Sequence, residues 1–159
     1  MYFSTYQSPF GNIALTATDK GLAALAFQAG EAAIERDLNW QTDEQKFSQV
    51  KQQLDQYFTG SRREFELALD PKGTPFQQRV WQALCQIKMG ETASYAELAQ
   101  AINNPKAVRA VGSANGANPI ALIIPCHRVI GTNGKLTGYA GGLALKAKLL
   151  MHEGAQFKV

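Results

Sequence analysis

Ser94-Tyr95-Ala96-Glu97-Leu98-Ala99-Gln100-Ala101-Ile102-Asn103-Asn104-Pro105-Lys106-Ala107-Val108-Arg109-Ala110-Val111-Gly112 is the stretch on which the fold of this chain turns. Ser94 and Glu97 stand three apart as a capping box, which predicts a short helix through about Ala101. Asn104-Pro105 then restarts the chain and predicts a second helix through about Asn115, with proline in its first turn. Two short helices joined by a tight turn make a helix-turn-helix, whose second helix is the one that faces DNA. On that second helix Ala107, Ala110, Gly112, Ser113, Ala114 and Gly116 are all small, so its backbone can approach a duplex closely. Arg109 stands out from this face as one long cation, with Lys106 beside it.

Working outward, Thr74, Pro75 and Gln77 form a second capping box, and Phe76, Val80, Leu84 and Ile87 continue it as a helix from about 75 to 88. Before it, Asp70-Pro71-Lys72-Gly73-Thr74-Pro75 is rich in turn residues and marks a domain boundary, giving domains of 1–72 and 73–159. The first domain opens with three short runs separated by Ser8-Pro9-Phe10-Gly11 and Asp19-Lys20-Gly21, a small antiparallel meander. Phe47, Val50, Leu54, Tyr57 and Phe58 then recur at helical spacing from about Glu44, and Gly60 ends that helix. Beyond Gly116 comes the apolar run Ile120 to Ile124. Asn133-Gly134 predicts a hairpin wing between Val129-Ile130 and Leu136, and a helix from about 143 to 152 closes the chain on Leu145, Leu149 and Leu150. The expected fold is α/β: a small sheet domain followed by a winged helix-turn-helix.

At 159 residues with 45% hydrophobic and 18% charged residues, the composition is that of a folded globular chain. No run approaches the roughly 20 apolar residues of a membrane span, and the first residues lack a secretory pattern, so a cytoplasmic location is expected, with no membrane partner. The net charge of +3 hides an asymmetry. Residues 1–74 hold seven Lys/Arg against ten Asp/Glu, a net of −3, and residues 75–159 hold nine against three, a net of +6. The basic half is the one suited to a phosphate backbone.

Two cysteines are present, and in a reducing compartment neither is expected in a disulfide. Cys85 falls within the expected helix and reads as a buried, inert thiol. Cys126 lies in Ile124-Pro125-Cys126-His127-Arg128-Val129, where a neighbouring imidazole and guanidinium could favour the thiolate that nucleophilic chemistry requires. Two Cys and two His offer no metal-ligand spacing beyond the Cys126-His127 pair, so no metal is expected.

That motif resembles the methylated-DNA–protein-cysteine methyltransferases, the O6-alkylguanine-DNA alkyltransferase family. The likeness takes in Asn118-Pro119, Gly138-Tyr139-Ala140-Gly141-Gly142, Leu149-Leu150-Met151-His152-Glu153-Gly154, Ser94 to Ala99 and Val108 to Gly112. It covers most of residues 75–155, and the first 70 residues correspond to the family's variable, ribonuclease H-like N-terminal domain. The resemblance implies a monomer acting, without a cofactor, on double-stranded DNA that contains O6-alkylguanine. The Cys126 thiolate would attack the alkyl carbon of a flipped-out base, with His127 as base through a water, Glu153 orienting His127, and Tyr95 donating a proton to the base. It further implies Arg109 as a finger filling the gap left in the duplex, with Lys106, Ala107, Ala110 and Arg128 at the DNA. Asn118 would be the hinge, and Val129, Tyr139 and Ala140 would form the base pocket. Many family members have serine at Ala140; if a main-chain N–H makes the contact there, alanine serves equally.

Two other classes stay open on residues alone. A winged-helix DNA-binding protein without transfer activity is argued against by the retained cysteine, and a cysteine hydrolase would need an oxyanion site that nothing in the sequence suggests.

Overall fold

Short apolar runs separated by two turns fold the first 27 residues into strands β1 (Tyr2–Ser8), β2 (Gly11–Ala17) and β3 (Leu22–Phe27), antiparallel and in that order. The computed structural model describes residues 1–29 and 33–159. Gly11, at φ +121°, makes the first turn possible, and the Ser8 hydroxyl braces it by donating to the Gly11 carbonyl at 2.6 Å. A 3-10 turn at Glu44–Phe47 leads into α1 (Ser48–Phe58), so the expected single helix is a turn followed by a helix. Phe47, Val50, Leu54 and Tyr57 join Ile13, Leu15 and Ala17 in one buried core.

Strand β3 would leave an open edge, a hazard for a small sheet. The second half of the chain covers it: Leu25 N–H donates to the Pro119 carbonyl at 2.9 Å, and Ala121 N–H donates to the Leu25 carbonyl at 3.0 Å. The segment leading to Cys126 is thereby stitched to the N-terminal sheet.

The capping box of Thr74 and Gln77 starts α2 (Pro75–Leu84) where the sequence predicts. Gly73 is required just before it, because a Cβ there would run into the Trp81 ring. The helix ends four residues short of expectation. From Gln86 the bonds tighten to i→i−3, and the Ile87 carbonyl is occupied by Arg128 Nη1 at 2.6 Å. Cys85 consequently sits at the helix C-cap and is exposed, not buried as its place in the pattern suggested.

Helix α3 (Tyr95–Ala101) begins at the expected Ser94–Glu97 capping box, and α4 (Val108–Gly116) follows. α4 starts three residues later than predicted. Asn104 closes a turn by accepting from Ala107 N–H at 3.0 Å, so Lys106 and Ala107 lie in that turn and Ala107 becomes the N-cap. Trp81 Nε1–H donates to the Ala114 carbonyl at 2.8 Å and pins α2 to α4.

The wing also differs from expectation. The turn forms at Gly131–Gly134, with Gly134 at φ +82°, but β5 (Val129–Ile130) pairs in parallel with β4 (Ala93–Ser94). Leu136 instead donates to the Lys158 carbonyl at 2.9 Å, so the C-terminal tail supplies the partner. Helix α5 (Leu143–Glu153) ends the domain at Gly154, φ +77°. Among the described residues no helix is long and apolar enough to cross a membrane.

Candidate active site

Pro125 ends the apolar run, and Cys126–Arg128 form one 3-10 turn before β5. Pairing of β5 with β4 places this turn beside the start of α3, where Tyr95 follows Ser94 directly. On its other side the turn is fixed by Asn118, whose Oδ1 accepts from Ile120 N–H at 3.0 Å and whose Nδ2 donates to the Ile124 carbonyl at 2.8 Å. Between them Leu122 is held at φ +73°, an uncommon conformation for a bulky residue that persists only where its surroundings fix it.

All three residues of the turn are buried, Cys126 to 6% exposure, Arg128 to 7% and His127 completely. Glu153, 4% exposed at the end of α5, is their shared partner. Oε2 lies 2.8 Å from His127 Nε2, Arg128 Nε donates to Oε1 at 2.8 Å, and Nη2 donates to Oε2 at 3.2 Å. Burial alone would raise the Glu153 carboxyl, but the bonds from His127 and Arg128 outweigh it and hold it at about 2. Arg128 is always protonated and is thus the permanent counter-charge. Burial lowers His127 despite the pull of Glu153, so the ring is neutral near pH 7. An ionised carboxylate only accepts, which puts the proton on Nε2 and leaves Nδ1 as an acceptor. Nδ1 is buried and has no partner among the described residues.

Burial raises the Cys126 thiol, while the Asn118 amide, the Lys146 ammonium and the local backbone N–H groups favour its thiolate. Cys126 lines a cavity of about 530 Å³. Asn115 and Gly116 at the end of α4 form one wall, Gly138–Gly141 another, and Ala24–Phe27 of β3 a third. Tyr139 and Ala140 both line it; the Tyr139 hydroxyl is buried and has no partner among the described residues. Among the described residues no three His, Cys, Asp or Glu converge as metal ligands would.

Arg109 and Ala110 are exposed on α4 and Lys106 is exposed in the turn before it, so these three share an accessible surface. Arg128 does not join them. It was expected at the DNA, but its guanidinium is committed to Glu153 and the Ile87 carbonyl inside the protein. Val129 is also displaced from its expected place: it is fully buried, absent from the cavity wall, and its carbonyl accepts from Lys146 Nζ. Tyr95 points its hydroxyl at Thr137 Oγ1, 2.8 Å away and next to Gly138 of the cavity wall.

Two participants escaped the sequence reading. Tyr57, from the N-terminal domain, donates to Glu153 Oε2 at 2.6 Å, and Lys146 is completely buried. Spacing contained a hint of the second, because Lys146, Leu149, Leu150 and Glu153 fall at i, i+3, i+4 and i+7 of one buried stripe. Replacing Tyr57 by Phe should cost about 1.5–3 kcal/mol of stability, the range for a bond to a charged group. Urea unfolding measures this, and a change below about 0.5 kcal/mol would contradict the contact's importance.

Fold and site together define a two-domain protein that sets a helix-turn-helix beside one buried thiol with an imidazole–carboxylate pair. Residues 1–71 match the ribonuclease-like domain of 6-O-methylguanine DNA methyltransferase, and residues 75–155 match its DNA binding domain. The chain belongs to the 6-O-methylguanine DNA methyltransferase family. It is 50% identical over 155 residues to the methylated-DNA–protein-cysteine methyltransferase of Methanosarcina acetivorans, covering 98% of this chain and 99% of the relative. The Mycobacterium tuberculosis protein of the same name is 48% identical over 94% of this chain and 90% of its own. The crystal structure of Mycobacterium tuberculosis OGT in complex with DNA superposes with a TM-score of 0.89 at 47% identity, over 97% of this chain and 93% of that one.

Proposed function

We infer that this chain repairs O6-alkylguanine in double-stranded DNA by moving a methyl or other small alkyl group onto Cys126, irreversibly and once per molecule. The observation that carries this reading is that Cys126 and the end of the helix-turn-helix line the same cavity, one of a size to admit a base taken out of the stack.

His127 accepts the thiol proton at Nδ1 through a water, and Glu153, anchored by Arg128, keeps the ring in the tautomer that leaves Nδ1 free. The thiolate sulfur forms a bond to the alkyl carbon as the bond from that carbon to O6 breaks, and its electron pair passes to the guanine. Tyr95 gives a proton to the guanine ring, which makes guanine a neutral leaving group. A thioether is a poor leaving group and the site offers no second nucleophile, so the protein is spent. Tyr139 and Ala140 line the base pocket, Asn118 is the hinge, and Arg109 on the exposed face of α4 fills the gap left in the duplex, with Lys106, Ala107 and Ala110 beside it. We place the domain boundary at residues 72 and 73 and the protein, as a monomer, in the cytoplasm.

Titrating the protein with duplex DNA carrying O6-methylguanine tests the reading: one lesion disappears per chain, and continued turnover by a single molecule would refute it. Arg109→Ala should slow repair of the duplex about tenfold while changing reaction with the free base O6-methylguanine less than about twofold. Equal slowing of both would remove the finger from the account.

A further inference from the structure

Lys146 is a buried cation that favours the Cys126 thiolate but has no part in the proton transfers described above. α5 turns it inward, and its Nζ donates to the Val129 carbonyl and, at 3.3 Å each, to the carbonyl and Oγ1 of Thr137. No carboxylate pairs with it among the described residues. An ammonium held inside a protein without a counter-ion is costly, and such a group beside a reactive centre is a sign of function. Thr137 Oγ1 is also the atom that meets the Tyr95 hydroxyl at 2.8 Å. Ammonium, threonine hydroxyl and phenol therefore form an unbroken hydrogen-bonded chain whose middle member, Thr137, adjoins Gly138 of the cavity wall.

We propose that Lys146 and Thr137 are a proton relay serving Tyr95 during alkyl transfer; the proposal rests on the reading of Tyr95 as proton donor to the departing guanine. When Tyr95 yields its proton to the ring, its oxygen becomes anionic. The Thr137 hydroxyl then gives its proton to that oxygen and takes one from Lys146, which ends neutral. Every proton is accounted for: one leaves the ammonium, one arrives on guanine, and Thr137 and Tyr95 are restored. Burial lowers Lys146 to about 8, which brings it within reach of giving up a proton, with the Cys126 thiolate acting in the opposite direction. The titratable groups that face it are Cys126, whose thiolate it favours, and His127, whose charged form it disfavours. As the alkyl group caps the sulfur, the thiolate that holds the proton on Lys146 disappears, so the relay becomes easier to complete as the transfer proceeds. Thr137 and Lys146 act through Tyr95 and are positioning residues.

Single-turnover repair of O6-methylguanine duplex provides the test. Thr137→Val keeps the side chain's shape and cuts the relay; the transfer rate should fall about tenfold, a fraction of what general acid catalysis supplies, with affinity for undamaged duplex unchanged. Thr137→Ser restores the hydroxyl and should return the rate to within about twofold of the parent. In a Tyr95→Phe background, Thr137→Val should cause no further loss, because the group it serves is gone. A parental rate for Thr137→Val, or the same loss with and without Tyr95, overturns the relay. If Tyr95→Phe alone repairs at the parental rate, it is the reading of Tyr95 as donor that fails, and the two failures are told apart.

Discussion

Cys126→Ser should abolish alkyl acceptance while binding to duplex DNA stays within about threefold of the parent. The expected loss is complete because the reaction needs a thiolate at neutral pH, and a serine hydroxyl ionises far too weakly to replace it. In the parent, burial works against the thiolate, and Asn118, Lys146 and the backbone N–H groups work for it. Those groups remain in the variant but have no sulfur to act on. Binding survives because the exposed surface of Lys106, Arg109 and Ala110 lies on a different element from the thiol. Mass spectrometry of the protein after incubation with O6-methylguanine duplex, together with a fluorescence titration of DNA, checks both halves. A methylated Cys126→Ser protein would place the acceptor elsewhere.

Glu153→Gln should be the most destabilising change at the site, by about 3–5 kcal/mol, because it leaves the buried Arg128 cation without its counter-charge. Arg128, His127 and Tyr57 all converge on this one carboxylate, from the catalytic turn and from the other domain. For a chain of this size the midpoint should fall by roughly 10–15 °C. Transfer falls too, since an amide can either accept from or donate to the imidazole and so no longer fixes its tautomer. The pH dependence has a definite sign. Glu153 is held at about 2 in the folded protein, below its unfolded value, so its stabilisation is present above the unfolded value and is lost as pH falls through that window towards 2. The gap in stability between parent and variant should be full at pH 7 and narrow steadily below about 4.3. A gap that stays constant down to pH 2 would mean that Glu153 is not the ionised hub.

Local chemistry made much of this legible in the sequence. Both capping boxes start helices where side chains three residues apart can satisfy each other, and the three-strand meander follows from turn residues. What failed depended on partners far along the chain. α2 stops early because the Ile87 carbonyl is wanted by Arg128, 41 residues later, and Arg128 turns inward, away from the surface expected of it, because Glu153 lies 25 residues beyond it. The wing loses its predicted pairing to the tail at Lys158. Tyr57 was readable as core but not as a donor to a carboxylate 96 residues away. That contact, with the β3 wall of the cavity and the bonds between Leu25 and the 119–121 segment, gives the N-terminal domain a share in the site.

Of the two thiols, Cys85 is the more exposed and Cys126 the more buried, and exposure alone would favour reaction at Cys85. Peptide mapping after one equivalent of O6-methylguanine duplex decides between exposure and placement. A gain of one methyl group confined to the peptide containing Cys126 is expected, with the Cys85 peptide unchanged; methylation of the Cys85 peptide, or of neither, would rule out Cys126 as the acceptor.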